Sequence, residues 1–197
     1  MKRMKYPYSK CHNLLNVLTI ILVVLCCFTA CIDEGDRLYT NIRAFFWYTR
    51  VITTPPLHRA LGNPGQFCKI TFEKNGRYVF ASPNGESYVY TPTALDQYGK
   101  PEFVAGFIVG TSGIPDLTGN FYSVAFDLVC PNCYRDNAIP RKCDFDSKNH
   151  TIVKCSLCSR SYNLDNGGIV VAGKSGRPLY RYRMSYAPAT GVLFIQN

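Results

Sequence analysis

Hydrophobic and polar residues alternate with a period of two in short runs along most of the chain after residue 40. The clearest run is 180–186, in which three tyrosines and a methionine alternate with two arginines and a serine. Such alternation predicts a strand with one buried face. Similar runs, separated by Gly, Pro and Asn, predict strands at 42–49, 66–72, 78–81, 87–90, 103–109, 121–128, 151–154, 169–172 and 192–195. The pattern therefore predicts an all-β fold of antiparallel sheets, a sandwich or a barrel, with single helical turns at 55–61 and 92–98.

The first thirty residues follow a different pattern. Four Lys and Arg residues lie within the first ten positions, and an almost uncharged apolar run extends over 14–30. The small residues Thr29 and Ala30 then stand directly before Cys31. This order of segments is typical of a secretory leader, and Phe28-Thr29-Ala30-Cys31 resembles the lipobox of bacterial lipoproteins, although Phe28 stands where that motif usually has Leu.

The lipobox resemblance implies a domain organisation and a location. It implies a signal peptide over 1–30, a lipid on the Cys31 thiol, a tether over 31–40 and a folded domain over 41–197. The acidic residues Asp33, Glu34 and Asp36 resemble sorting signals of outer-membrane lipoproteins, so we expect a lipid-anchored protein of the bacterial cell envelope, in the outer rather than the inner membrane. An uncleaved N-terminal anchor and a solvated acidic tether are the alternatives.

Much of the positive charge of the chain belongs to the predicted leader. The whole chain has 22 Lys and Arg against 13 Asp and Glu, a formal charge of +9. Four of those bases and none of the acids belong to the leader, which leaves +5 for residues 31–197. No run of Lys and Arg with interleaved aromatics follows, so nucleic acid is not predicted as a partner.

The cysteines carry the candidate chemistry. Cys130-Pro-Asn-Cys133 and Cys155-Ser-Leu-Cys158 are two C-x2-C pairs with 21 residues between them. This spacing suits four thiolates around one tetrahedral metal centre, and thiolate ligands suit both zinc and iron. Disulfides are the alternative, because they form in an oxidising compartment. Two further cysteines, Cys68 and Cys143, either pair with each other or remain free thiols.

The segments around these pairs resemble the Rieske iron–sulfur family. The strand predicted at 121–128 leads into the first pair, an aromatic and Gly-rich run at 162–168 follows the second, and a Pro loop with a strand comes at 177–182. The resemblance covers roughly residues 39–197. It implies a Rieske-like domain of antiparallel sheets with a small metal-binding subdomain at about 128–180, a [2Fe-2S] cluster, and a redox partner protein.

The chain departs from that family at its metal ligands. Asn132 stands where the family has its first His, a cysteine follows at Cys133, and Cys158 replaces the second His. Four thiolates make any bound cluster more negative and lower its potential toward the range of plant-type ferredoxins. The ligand set leaves three centres open: a [2Fe-2S] cluster, a single iron ion and a zinc ion.

Three functions follow from these possibilities. An iron centre predicts one-electron transfer, and a zinc centre predicts a closed structural site in an interaction module. A thiol–disulfide enzyme ranks last, because the sequence predicts no helix N-terminus to lower a thiol pKa. Only His58 and His150 follow the leader, and they are too far apart in sequence to indicate the two-histidine iron site of an oxygenase. The chain has no catalytic constellation, which favours a protein that is not an enzyme.

Overall fold

A computed structural model of the chain describes residues 38–93 and 105–197. The predicted leader at 1–30, the predicted lipidation site Cys31 and most of the predicted helical turn at 92–98 lie outside the described residues. No helix within the described ranges is long and apolar enough to cross a membrane.

The described residues form twelve strands and two short helices. The strands are β1 (Phe45–Tyr48), β2 (Gln66–Phe72), β3 (Tyr78–Ala81), β4 (Ser87–Tyr90), β5 (Phe107–Thr111), β6 (Ser123–Asp127), β7 (Cys143–Phe145), β8 (Ile152–Cys155), β9 (Ser161–Asn163), β10 (Ile169–Ala172), β11 (Arg181–Ala187) and β12 (Val192–Gln196). The helices are α1 (Pro55–Gly62) and α2 (Pro131–Asn137). All strand pairs are antiparallel.

Eight strands form one curled sheet in the order β1-β12-β11-β6-β5-β2-β3-β4. The curl is visible at its two edges, because Tyr48 of β1 contacts Phe80 of β3 and Tyr90 of β4, with ring centroids 4.9 and 5.5 Å apart. The edges of a flat sheet of this width would be far apart, since neighbouring strands are about 4.8 Å from each other. The sheet therefore closes around its inner face as a half-barrel.

The inner face of the curled sheet holds the larger hydrophobic core. Alternate residues of the strands point into it, including Phe46 and Tyr48 of β1, while Phe45 and Trp47 point outward and are exposed. Helix α1 begins with two prolines, which lack the N–H groups that a first turn leaves unpaired. Its apolar residues also pack into this core.

The remaining strands form a small sheet in the order β10-β9-β8-β7. It packs against the outer face of β2, β5 and β6, where Phe67, Ile108 and Phe126 share a second core with Tyr162 and Leu164. This second core also contains four of the cysteines. The small sheet and the loops around it thus place the cysteine pairs against a rigid surface.

The all-β prediction, with antiparallel sheets and a small cysteine-bearing unit, is confirmed. Strands β2, β3, β4 and β10 begin and end where the alternation predicts, and α1 occupies the predicted helical turn. Strands β7 and β9 were not predicted, because three residues are too few to show a period of two. In the hairpin of β7 and β8, Asp144 is exposed, whereas Asp146 is largely buried and accepts hydrogen bonds from the amides of Lys148 and Asn149.

Candidate metal centre

Two loops bring the four predicted cysteines together. Cys130 is the N-cap of α2 and Cys133 lies in the first turn of that helix. Cys155 ends β8, and a tight turn closed by a hydrogen bond from the amide of Ser159 to the carbonyl of Cys155 carries Cys158. The four Sγ atoms all lie within 4.8 Å of one another.

The sulfur positions fit one tetrahedral ion. The Sγ atoms of Cys130 and Cys158 are 3.6 Å apart, and so are those of Cys133 and Cys155. Ligands about 2.3 Å from a tetrahedral ion are about 3.8 Å from each other. A disulfide would need sulfurs about 2.05 Å apart. The donor set and its spacing are therefore compatible with a bound metal ion such as iron or zinc.

The hydrogen bonds to Cys130 favour its ionised form. The Tyr162 hydroxyl is 3.0 Å from the Cys130 sulfur, and the thiol of Cys143 and the amide of Cys133 also favour a negative charge on it. Cys143 has the largest effect, and together these groups lower the pKa of Cys130 from 9.0 to about 4. Burial raises the pKa of Cys133 and of Cys155 instead. The site thus holds one thiolate ready to bind a cation, while burial opposes the ionisation of Cys133 and Cys155.

Asn132 determines the direction of the Tyr162 hydrogen bond. Its side-chain carbonyl accepts from the amide of Arg177 at 2.9 Å, so its side-chain nitrogen faces Tyr162 and donates to the hydroxyl oxygen at 3.0 Å. The hydroxyl proton is then free to point at the sulfur of Cys130. Asn132 is buried and also donates to the carbonyl of Arg177, which ties the loop around Gly176 to α2. A Cβ atom at Gly176 would collide with the Asn132 side chain.

Arg160 places a positive charge beside the second pair. It is mostly buried, and its guanidinium donates to the carbonyls of Lys174 at 2.8 Å and Ser175 at 3.3 Å. The nearby Cys158 raises the pKa of Arg160. A divalent ion with four thiolates carries a charge of −2, so this arginine offsets part of the charge that the site buries.

The two remaining cysteines have different surroundings. Cys143 lies beside the site, in register with Cys155 on the neighbouring strand, whereas Cys68 lies in the core of the large sheet. Both are free thiols, as are the four clustered cysteines. The alternative of a Cys68–Cys143 disulfide is therefore wrong for the described structure, and the two unpaired thiols are observed.

One premise of the sequence analysis is wrong. The sequence predicts no helix N-terminus at the cysteine pairs, yet Cys130 caps α2 and has a lowered pKa. This arrangement alone would favour a reactive thiol. However, Cys130 has no exposed surface and its sulfur faces Cys158, so a disulfide substrate has no path to it.

Three residues of the site were missed by sequence reasoning. Tyr162 contacts the Cys130 sulfur, and Cys143 and Arg160 favour negative charge on Cys130 and Cys158. Their roles depend on the pairing of β7 with β8 and of β8 with β9, and both β7 and β9 are too short to predict. The only sign of these roles in the sequence was the position of Cys143 between the two cysteine pairs. Comparison of the chain with protein-family models and with curated proteins finds no match.

Proposed function

We propose that the protein is a lipid-anchored electron carrier of the bacterial cell envelope, with one iron ion held by Cys130, Cys133, Cys155 and Cys158 in a Rieske-like domain. The observation that carries this proposal is the group of four sulfurs, close enough to share one ion. Iron bound to four thiolates supplies a one-electron couple between its ferrous and ferric states. Four protein ligands complete a tetrahedral shell, which leaves no position for a substrate and favours electron transfer over catalysis.

The position of the site supports exchange of electrons with a partner. Cys158 is only partly buried, and the neighbouring Leu157 has 47% of its surface exposed. The sulfur group therefore lies just beneath the surface at the second loop. Exposed apolar side chains at such a point favour transient docking of another protein.

The spacing of the sulfurs supports a single ion over a [2Fe-2S] cluster. In such a cluster each iron has two of the thiolates, and the inorganic core separates one pair from the other. Here the four sulfurs have no such division, because the largest separation is within 4.8 Å. Of the two iron centres that the ligand set leaves open, a single ion is therefore favoured over a [2Fe-2S] cluster.

A structural zinc site is the second candidate. The observation that favours it is the composition of the second core, where the sulfurs of Cys130, Cys133 and Cys155 take the place of larger apolar side chains. Subdomains of about 50 residues seldom bury enough apolar surface to be stable without a metal or disulfides. A zinc ion would then hold the two loops together and carry no electrons.

Metal analysis separates the two candidates. The full chain is expressed in bacteria, extracted in non-ionic detergent without reducing agent, and assayed for iron, zinc and acid-labile sulfide. We expect one iron per chain, no labile sulfide, and visible absorption that bleaches reversibly on reduction. One colourless zinc per chain would establish the structural function instead. Fewer free thiols and no metal would contradict both.

Two alanine variants control the metal analysis. Cys133→Ala removes a ligand and should abolish stoichiometric metal. Cys68→Ala removes an equally buried free thiol outside the site and should retain it. Metal retained in Cys133→Ala would contradict the site.

The lipid anchor needs a separate test. The proposal rests on the lipobox resemblance at Cys31, which lies outside the described residues. We expect radiolabelled palmitate to enter the wild-type protein and to be absent from Cys31→Ser. Equal palmitate labelling of Cys31→Ser, or no labelling of the wild-type protein, would contradict lipidation at this residue.

A further inference from the structure

The positive charge of the chain is concentrated around the four cysteines. Residues 128–180 contain eight Lys and Arg against four Asp and Glu, whereas the rest of 31–197 contains ten against nine. The metal-binding subdomain therefore carries +4 and the remainder only +1. If the charge were spread evenly along the chain, the metal-binding subdomain would carry much less than +4. Solubility alone therefore does not explain why the charge is concentrated in this subdomain.

Much of this charge surrounds one open groove of about 530 Å³ between β2 and the small sheet. Buried Leu128 and Cys143 lie at its base, and exposed Ile139 and Pro140 lie at its rim. The charged residues that line it are Lys69, Arg141, Lys142, Asp144 and Lys154. The groove thus combines an apolar base with four cations and one carboxylate.

Two of these cations already have a carboxylate partner, and two do not. Lys69 of β2 forms an ion pair with Asp144 of β7 at 2.5 Å, and Lys154 forms one with Asp146. Arg141 and Lys142 are exposed, and neither has an ion pair among the described residues. These two side chains are therefore available to a negatively charged ligand.

The groove is adjacent to the sulfur group. Cys143 lines the groove and is paired with Cys155 across β7 and β8, and the amide of Cys130 donates to the carbonyl of Arg141, which also lines the groove. Ser156, which lies between Cys155 and Cys158 in the second loop, lines it as well. A ligand in the groove would therefore lie beside the loops that carry the sulfurs.

We propose that this basic groove docks an acidic segment of a partner protein beside the metal centre. A peptide segment fits better than a small anion, because the groove is larger than a phosphate or a carboxylate requires and its base and rim are apolar. Acidic side chains would pair with Arg141 and Lys142, and apolar ones would cover Leu128 and Ile139. A role of this partner in electron transfer rests on the proposed function, whereas binding of its acidic segment in the groove does not depend on that function.

The test measures binding of labelled poly-L-glutamate to the full chain in non-ionic detergent micelles by fluorescence anisotropy. Wild-type protein should bind the peptide at low salt, and the Kd should rise steeply with ionic strength. The double variant Arg141→Glu/Lys142→Glu should weaken binding about tenfold or more. The control Arg43→Glu/Lys74→Glu changes the net charge equally at exposed positions outside the groove, and its Kd should stay within about twofold of wild type.

Three results would overturn the proposal. The first is no binding of poly-L-glutamate at low salt. The second is equal loss in both double variants, which would mean that the peptide senses only the overall charge. The third is groove-dependent binding of heparin or of phosphatidylglycerol vesicles without binding of the peptide, which would assign the groove to a polysaccharide or a membrane. Metal analysis of the same samples distinguishes failure of this proposal from failure of the proposed function. A protein that contains zinc and binds the peptide would refute electron transfer but support the groove as a docking site.

Discussion

The Tyr162 hydroxyl gives the sharpest test of how the site is tuned. Tyr162→Phe removes one oxygen from a fully buried ring and leaves the rest of the side chain in place. The lost contact is the hydrogen bond to the Cys130 sulfur, 3.0 Å from the hydroxyl. One N–H of the Asn132 side chain also loses its acceptor, while the other keeps the carbonyl of Arg177.

The size of the effect follows from the charge of the acceptor. A hydrogen bond to an ionised group contributes about 1.5–3 kcal/mol, and one between neutral groups about 0.5–1.5 kcal/mol. The Tyr162 hydroxyl helps to keep Cys130 ionised before metal binds, so Tyr162→Phe raises the pKa of Cys130 and metal binding must then supply more of the free energy that ionises this sulfur. We therefore expect the affinity for metal to fall about 10–100-fold. An iron centre should also shift to a lower potential, since hydrogen bonds to the sulfurs favour the reduced state.

Tyr182→Phe is the matched control. The Tyr182 hydroxyl is equally buried and donates to the Asp127 carboxylate at 2.6 Å, in the core of the large sheet rather than at the site. Both variants thus remove a hydroxyl donor from a buried acidic side chain. We expect both to lower the free energy of unfolding, and only Tyr162→Phe to change the affinity for metal.

The assay is a competition between the protein and a chromophoric chelator for zinc, with urea unfolding measured on the same samples. Both are carried out on the full chain in detergent. A zinc affinity of Tyr162→Phe within about twofold of wild type would mean that the Tyr162 hydroxyl does not tune the site, because loss of a hydrogen bond to a metal ligand usually lowers the affinity by about 10–100-fold. Equal losses of affinity in the two variants would also refute it.

Four further predictions concern the same unit. Cys143→Ala should weaken zinc binding about 10–100-fold in the chelator competition, whereas Cys68→Ala should leave it unchanged; the reverse order would contradict the role of Cys143. Gly176→Ala should lower the urea midpoint because its Cβ would displace Asn132, and a midpoint equal to wild type would contradict that contact. In metal-free reduced protein, the lowered pKa of Cys130 stabilises the fold. This stabilisation is complete above about pH 9 and is lost as the pH falls through about 4. Cys130→Ala should remove this part of the pH dependence of the urea midpoint. Removal of metal by a chelator should speed hydrogen exchange in β7–β10 and leave β2, β5 and β6 protected, and uniform exchange would show that the small sheet does not depend on the metal.

The large sheet was more predictable from the sequence than the site. The alternation in 180–186 marks β11, and the runs that define β2, β3 and β4 are bounded by turn residues such as Asn75 and Gly76. Period-two patterns report which face of a strand is buried, so they identify strands that pack on one side. They do not report the curl, which depends on contacts between distant edges such as that of Tyr48 with Tyr90.

The four clustered cysteines were predicted from their spacing alone, because two C-x2-C pairs are a local signal of a shared site. The surrounding hydrogen bonds were not. Cys143 reaches the site through its register with Cys155, and Asn132 through its contact with Arg177, 45 residues away in the chain. Contacts of that range depend on the packing of loops, and a single sequence has no periodic pattern that records them.

X-ray absorption spectroscopy of the full chain would show whether the four clustered cysteines share one metal ion, as we claim. The fine structure at the metal edge reports the number, type and distance of the ligands. We predict about four sulfur ligands at about 2.3 Å with no neighbouring metal atom. A second iron atom in the spectrum, or nitrogen and oxygen ligands in place of sulfur, would contradict the claim.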